Sequence, residues 1–167
     1  MFENNTVSIE QFTDQEKSLI QAAVETWDDA SGVTLTPVAD GADSYGDIRF
    51  IKQDFHPDLP AAGMGLPPGF LGTELDGTVI IDPDSDLGDM GEAYFTNLIV
   101  HEVGHTLALG HTHEHNVPPA GKDSSVNAVM SYKDYYYPAD DSFYSSQEAW
   151  EDGIVNSVVP VYPETPM

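Results

Sequence analysis

The sequence predicts an α+β domain, and three observations predict it. A long amphipathic helix opens the chain, short β-rich runs follow it, and a second helix carries two histidines one turn apart. The length, 167 residues, suits one domain with a real hydrophobic core rather than two.

The first helix is expected from about Thr13 to Ala30, because Leu19, Ile20, Ala23, Val24 and Trp27 recur at helical spacing. Thr13 with Glu16 three residues on has the form of a capping box, and Ser31 and Gly32 stop the helix. Two strands follow, "VTLTPV" (33–38) and "DIRFI" (47–51), separated by the turn-forming "ADGADSYG". "FHPDLPAAGMGLPPGFLG" is rich in proline and glycine and reads as an irregular excursion. "GTVIID" (77–82) is a short apolar strand. After it, "PDSDLGDMG" carries Asp84, Asp86 and Asp89, read first as an acidic turn and second as a calcium site whose spacing departs from the usual loop. From Glu92 to Leu109 the pattern is helical again, with Phe95, Ile99, Val103 and Thr106 along one side and His101 and His105 on another. The remainder is loop-like, with at most a short helix in "QEAWEDGIVNSVV".

Charge and composition exclude several classes of function. Twenty-nine acidic residues against five basic ones give a formal charge of −24, a surface that repels nucleic acid and anionic lipid. Without cysteine there is neither a disulfide framework nor a thiolate metal site, so any ligands are imidazole or oxygen. No apolar run is long enough to span a membrane, and the first residues do not form a secretory signal peptide.

The chemistry concentrates in "HEVGHTLALGH", His101 to His111. Two histidines four apart stand one above the other on a helix face, so both rings can reach one ion. Glu102 lies about 100° round the helix, where it can approach a water on that ion without binding the ion itself, the place of a general base. Imidazoles without thiolates favour zinc among the biological metals. His111 follows His101 by ten, Met130 follows His111 by nineteen, and Tyr132 follows Met130 by two, in "NAVMSY". Alone, Met130 would be read as core and Tyr132 as part of an aromatic cluster.

"HEVGHTLALGH" followed by "AVMSY" resembles the metzincin metallopeptidases, most closely their serralysin branch. The likeness extends more weakly through "FTDQEKSLIQAAVETWDDASGVTLTPV", "DIRF", "AAGMGLPPG" and "GTVIID". It implies His101, His105 and His111 as zinc ligands, Glu102 as the base and Met130 as a hydrophobic floor under the ligands. Tyr132 would be a fifth ligand at rest that turns to stabilise the oxyanion. It also implies a small twisted, mostly parallel sheet with one antiparallel edge strand, two main helices and an irregular lower subdomain. Residues 1–167 would form one catalytic domain, with an upper part to about residue 110 holding the zinc helix (92–109). The lower part, 111–167, would hold a methionine turn near 127–132, with the family's final helix missing. Substrate would lie extended along Thr78, Val79, Ile80 and Ile81.

One position departs from the family. A continuous helix would carry His111 out of reach of the ion, and the glycine that breaks the helix in the family is Ala108 here. Either Ala108 itself takes the left-handed conformation, at roughly 1 kcal/mol, or the helix runs to Gly110 and His113 or His115 competes for the third position. The first is favoured because the distance to Met130 is otherwise in register.

The function expected is that of a zinc-dependent endopeptidase acting on extended protein or peptide substrates, secreted by a bacterium without a classical signal peptide. Two rivals remain at this point: a non-catalytic, zinc-stabilised scaffold of the same fold, and a peptidase whose third ligand is Glu148 or Glu151.

Overall fold

Helix α1 (Asp14–Ser31) begins where its capping box sets it. In a computed structural model of the chain, the Glu16 backbone N–H donates to Thr13 Oγ1 at 3.2 Å and the Thr13 N–H donates back to Glu16 Oε2 at 2.6 Å. Glu16, Ile20, Ala23 and Trp27, spaced four, three and four apart, form its buried stripe. Gly32, left-handed at φ 70°, ends it. The structure describes residues 9–39, 41, 46–54, 61–85, 91–112, 123–125 and 127–132. The chain divides after Leu107 into two compact units.

The first unit holds a four-stranded mixed sheet of β1 (Ile9–Glu10), β2 (Arg49–Gln53), β3 (Gly63–Gly65) and β4 (Thr78–Ile81), in the order β1-β2-β4-β3. Only β2 and β4 run parallel, with Arg49 opposite Thr78 and Lys52 opposite Ile81. β1 pairs antiparallel with β2, and β3 pairs antiparallel with β4 through Met64 opposite Ile80. The expected mostly parallel sheet is therefore one parallel pair flanked by an antiparallel strand on each side. The second edge, β3, comes from the segment read as irregular. Residues 33–38 form no strand. They follow Gly32 with Val33 and Val38 exposed, and their backbone bonds side chains of α1 instead of a strand, Val33 N–H donating to Ser31 Oγ at 3.2 Å and Leu35 N–H to Asp28 Oδ1 at 2.5 Å.

Helix α2 (Glu92–Thr106) lies on both α1 and the sheet. Phe95, Ile99 and Val103 are fully buried beside Ala23, Val79 and Ile81 as the core, and the Trp27 indole N–H donates to the Val100 carbonyl at 2.9 Å. A buried ion pair, Lys52 Nζ to Glu16 Oε1 at 2.6 Å, fixes α1 to β2. After α2, the second unit has neither helix nor strand among its described residues, consisting there of turns closed by backbone bonds such as Ser131 N–H to Ala128 O at 2.9 Å.

The strand Thr78–Ile81, expected to be the substrate edge, is instead interior. It is bonded by β2 on one side and β3 on the other, and all four residues are buried. A strand with both ladders used cannot accept another. Among the described residues, the edge on that side of the sheet is β3.

Candidate metal centre

His101 and His105 sit one turn apart near the end of α2, their rings 4.8 Å apart and nearly perpendicular. The helix stops at Thr106. Leu107 N–H still reaches back to Val103 O at 3.0 Å, and Ala108 then turns left-handed at φ 65°. Ala108 is the only non-glycine at positive φ among the described residues. The conformation expected of it is therefore met, and the alternative of a helix continuing to Gly110 is not. Three residues beyond lies His111.

Each of His101, His105 and His111 offers a ring nitrogen, and these atoms lie within 4.8 Å of one another. Two nitrogens on one tetrahedral zinc, each at about 2.0–2.1 Å, stand roughly 3.4 Å apart. The group is thus close to what one ion needs, is made of imidazole donors, and could hold a metal.

Glu102 is only 5% exposed. Strand β3 lies directly over it. A Cβ added to Gly65 would stand 2.0 Å from the Glu102 carbonyl oxygen and 2.8 Å from His105 Cβ, and one added to Gly63 would stand 2.9 Å from Glu102 Cγ. Only glycine allows this approach. Burial pushes the Glu102 carboxyl up to about 7, against the pull of a hydrogen bond from the Gly65 backbone N–H. An acid that titrates there can take a proton and give it back near neutral pH.

In the second unit, the His111 ring packs against Tyr132, centroids 4.3 Å apart and tilted by 41°. Tyr132 is 66% exposed, while Met130 is buried two residues before it. Thr112 N–H donates to Met130 O at 3.2 Å, which ties the chain after His111 to the methionine turn.

Several residues matter that the sequence reading passed over. Gly63 and Gly65 carried a usable signal, since glycines two apart empty one face of a strand. Asp123 accepts hydrogen bonds from Thr112 and Ser131 and stood in an unremarkable loop. Asp84 is exposed in a single 3-10 turn (Pro83–Ser85), its N–H donating to Asp82 Oδ1 at 2.9 Å. Asp86, Asp89, His113, His115, Glu148 and Glu151 lie outside the described residues.

No protein-family model matches the chain. Among curated proteins, it is 30% identical to Metallopeptidase AprA of Pseudomonas marginalis over 152 residues, covering 87% of this chain and 29% of that protein. It is 26% identical to Metalloprotease AprA of Pseudomonas entomophila (strain L48) over 152 residues, covering 85% of this chain and 28% of that protein. The chain spans less than a third of the length of these curated relatives. Over most of its own length, then, the chain is related to bacterial metallopeptidases, in keeping with the serralysin-like metzincin family that its motifs resemble.

Proposed function

We propose that this chain is the catalytic part of a zinc-dependent endopeptidase. The observation that carries the reading is the buried carboxylate of Glu102, with a pKa of about 7, next in sequence to the first of three clustered histidines. Burying a carboxylate is costly even when one backbone N–H donates to it. A scaffold that used the histidines only to bind a stabilising ion would have no need of it, so the non-catalytic alternative is not favoured.

His101, His105 and His111 would hold the ion. A bound zinc supplies Lewis acidity, polarising a carbonyl and lowering the pKa of a water. Glu102 takes the proton from the attacking water as the C–O bond forms, and passes it to the amine nitrogen as the C–N bond breaks. The Gly65 N–H fixes the carboxylate in that role, and the cover of β3 limits the access of bulk water to it. Tyr132, with its ring largely exposed, can donate its phenol to the oxyanion that develops on the substrate carbonyl. Met130, which is buried, would be the apolar floor under the ligands. An extended peptide would add to β3 rather than to β4, since β3 is the edge strand on that side among the described residues.

The substrates would be proteins or peptides, and the enzyme would act outside a bacterial cell. Among the described residues no helix is long and apolar enough to cross a membrane. The test is Glu102→Gln in the zinc-loaded protein, with an unfolded protein such as casein as substrate. The variant should keep its zinc and lose cleavage; equal cleavage by variant and parent rejects Glu102 as the base.

A further inference from the structure

Part of the second unit is organised round one carboxylate that the mechanism above does not use. Asp123 Oδ1 accepts from Thr112 Oγ1 and from Ser131 Oγ, the latter at 2.8 Å. Both donor residues are buried, Thr112 at 8% exposure and Ser131 at 6%. Two hydroxyls converging on a carboxylate oxygen make charge-assisted bonds, stronger than those between neutral groups. Just after Asp123 the chain folds into a tight turn, with the Asn127 and Ala128 N–H groups both donating to Ser124 O at 3.0 Å. That turn is stiffened by Asn127 Nδ2 donating to Ser124 Oγ at 2.9 Å.

The two residues held by Asp123 are significant by their neighbours. Thr112 directly follows His111, and Ser131 directly precedes Tyr132. The rings of those neighbours are the pair that stand 4.3 Å apart. With the Thr112 N–H to Met130 O bond, the carboxylate closes a brace across the two chain segments from which both rings project.

We propose that Asp123 is a positioning residue of the metal centre, holding the His111 and Tyr132 rings at their separation by clamping Thr112 and Ser131. The proposal rests on the reading of His111 as a metal ligand. Outer partners of ligands typically change metal affinity about 10- to 100-fold when removed. Asp123 would act through Thr112 and Ser131, the residues next to the two rings.

The experiment uses the full chain and two readouts, zinc affinity by competition with a chromophoric chelator and the ring-to-ring nuclear Overhauser effect between His111 and Tyr132 in metal-free protein. Asp123→Ala should weaken zinc about 10-fold or more and abolish the ring contact. Asp123→Asn keeps an oxygen that can accept from both hydroxyls and should restore most of each. His111→Ala is the reference. If it loses zinc while a folded Asp123→Ala binds as the parent does and keeps the ring contact, the proposal is overturned and the ligand reading stands. If His111→Ala binds zinc as tightly as the parent, the ligand reading itself is wrong. Should Asp123→Ala fail to fold, Ser131→Ala decides, since it removes one donor and leaves the carboxylate. A folded Ser131→Ala with parental ring contact and zinc affinity overturns the clamp, and loss of the ring contact supports it.

Discussion

The two helices of the first unit follow opposite rules. Helix α1 follows three common preferences: a reciprocal capping box at Thr13 and Glu16, a glycine in the left-handed position at its end, and a buried glutamate paired with a lysine. Helix α2 departs from each of these. Gly91 caps it without any side-chain bond, the residue that turns left-handed beyond it is an alanine, and its buried glutamate has its pKa raised by burial rather than lowered by a cation. Glu16 and Glu102 are nearly equally buried, at 1% and 5% exposure. For Glu16, burial raises the pKa, but the Lys52 hydrogen bond, together with those from Thr13 and the Lys52 charge, outweighs it and leaves the group below its usual value. The same side chain is thus made a structural anion in one helix and a titrating acid in the other. Departures from local preference tend to gather where a site needs them, and here they gather on the helix that carries the histidines.

The strongest way to break this comparison is to make both glutamates structural. If Glu102 were only a packing residue, Glu102→Gln would leave turnover intact. The expected result is a loss of about 10²- to 10⁴-fold in kcat at unchanged zinc content, the range for removal of a general base. The matching change on the other helix is Lys52→Ala, which strands the Glu16 carboxylate in the core. It should cost about 3–5 kcal/mol of stability in denaturant unfolding. Because Lys52 belongs to the structural half of the comparison, the fraction that remains folded should keep its kcat.

The pH dependence of stability separates the two glutamates by sign. Glu16, lowered in the folded state, contributes stability above the unfolded carboxylate pKa that is lost as pH falls through the folded value. Glu102, raised from 4.5 to about 7, does the reverse. The folded state holds its proton more tightly than the unfolded one, so stability is greatest below the unfolded pKa and is lost as pH rises through the folded pKa. Between about pH 5 and pH 8 the metal-free parent should lose roughly 2–3 kcal/mol that Glu102→Gln keeps, measured as the difference between their unfolding free energies in a chelator. Equal slopes for the two proteins would mean that Glu102 is not held in a desolvated site.

How much of this was legible in the sequence differs along the chain for physical reasons. Helix α1 was readable to within a residue at each end, because periodicity, capping box and glycine are all local signals. The left-handed turn at Ala108 was the favoured of two readings: geometry required the helix to break before His111, and the family resemblance placed the break at Ala108 rather than Gly110. Strand β3 was not. Gly-Met-Gly has no β propensity, and the three residues are a strand only because β4 lies alongside them. The opposite error occurred at 33–38, where β-rich residues have no strand partner among the described residues. The mistaken choice of β4 as substrate edge has the same origin, since a sequence shows which runs are apolar but not which strand comes to lie at the border. Asp123 could not be read at all, because its importance lies in two hydroxyls that the fold brings to it from either side.

The smallest effect tests the helix ends. Gly32 after α1 and Ala108 after α2 have nearly the same left-handed φ, 70° and 65°, but only the alanine carries a Cβ that crowds the backbone there. Ala108→Gly should therefore stabilise the metal-free protein by about 1 kcal/mol, the strain relieved exceeding the added freedom of glycine in the unfolded chain. Ala108→Val, β-branched at the same φ, should destabilise it. If the fold rather than the ion holds the left-handed turn, the strain belongs to the metal-free protein as well. It follows that glycine at this position should raise the unfolding free energy and leave zinc affinity unchanged. Tighter zinc binding by Ala108→Gly at unaltered metal-free stability would show instead that the ion forces the turn, and that α2 in its absence ends as conventionally as α1.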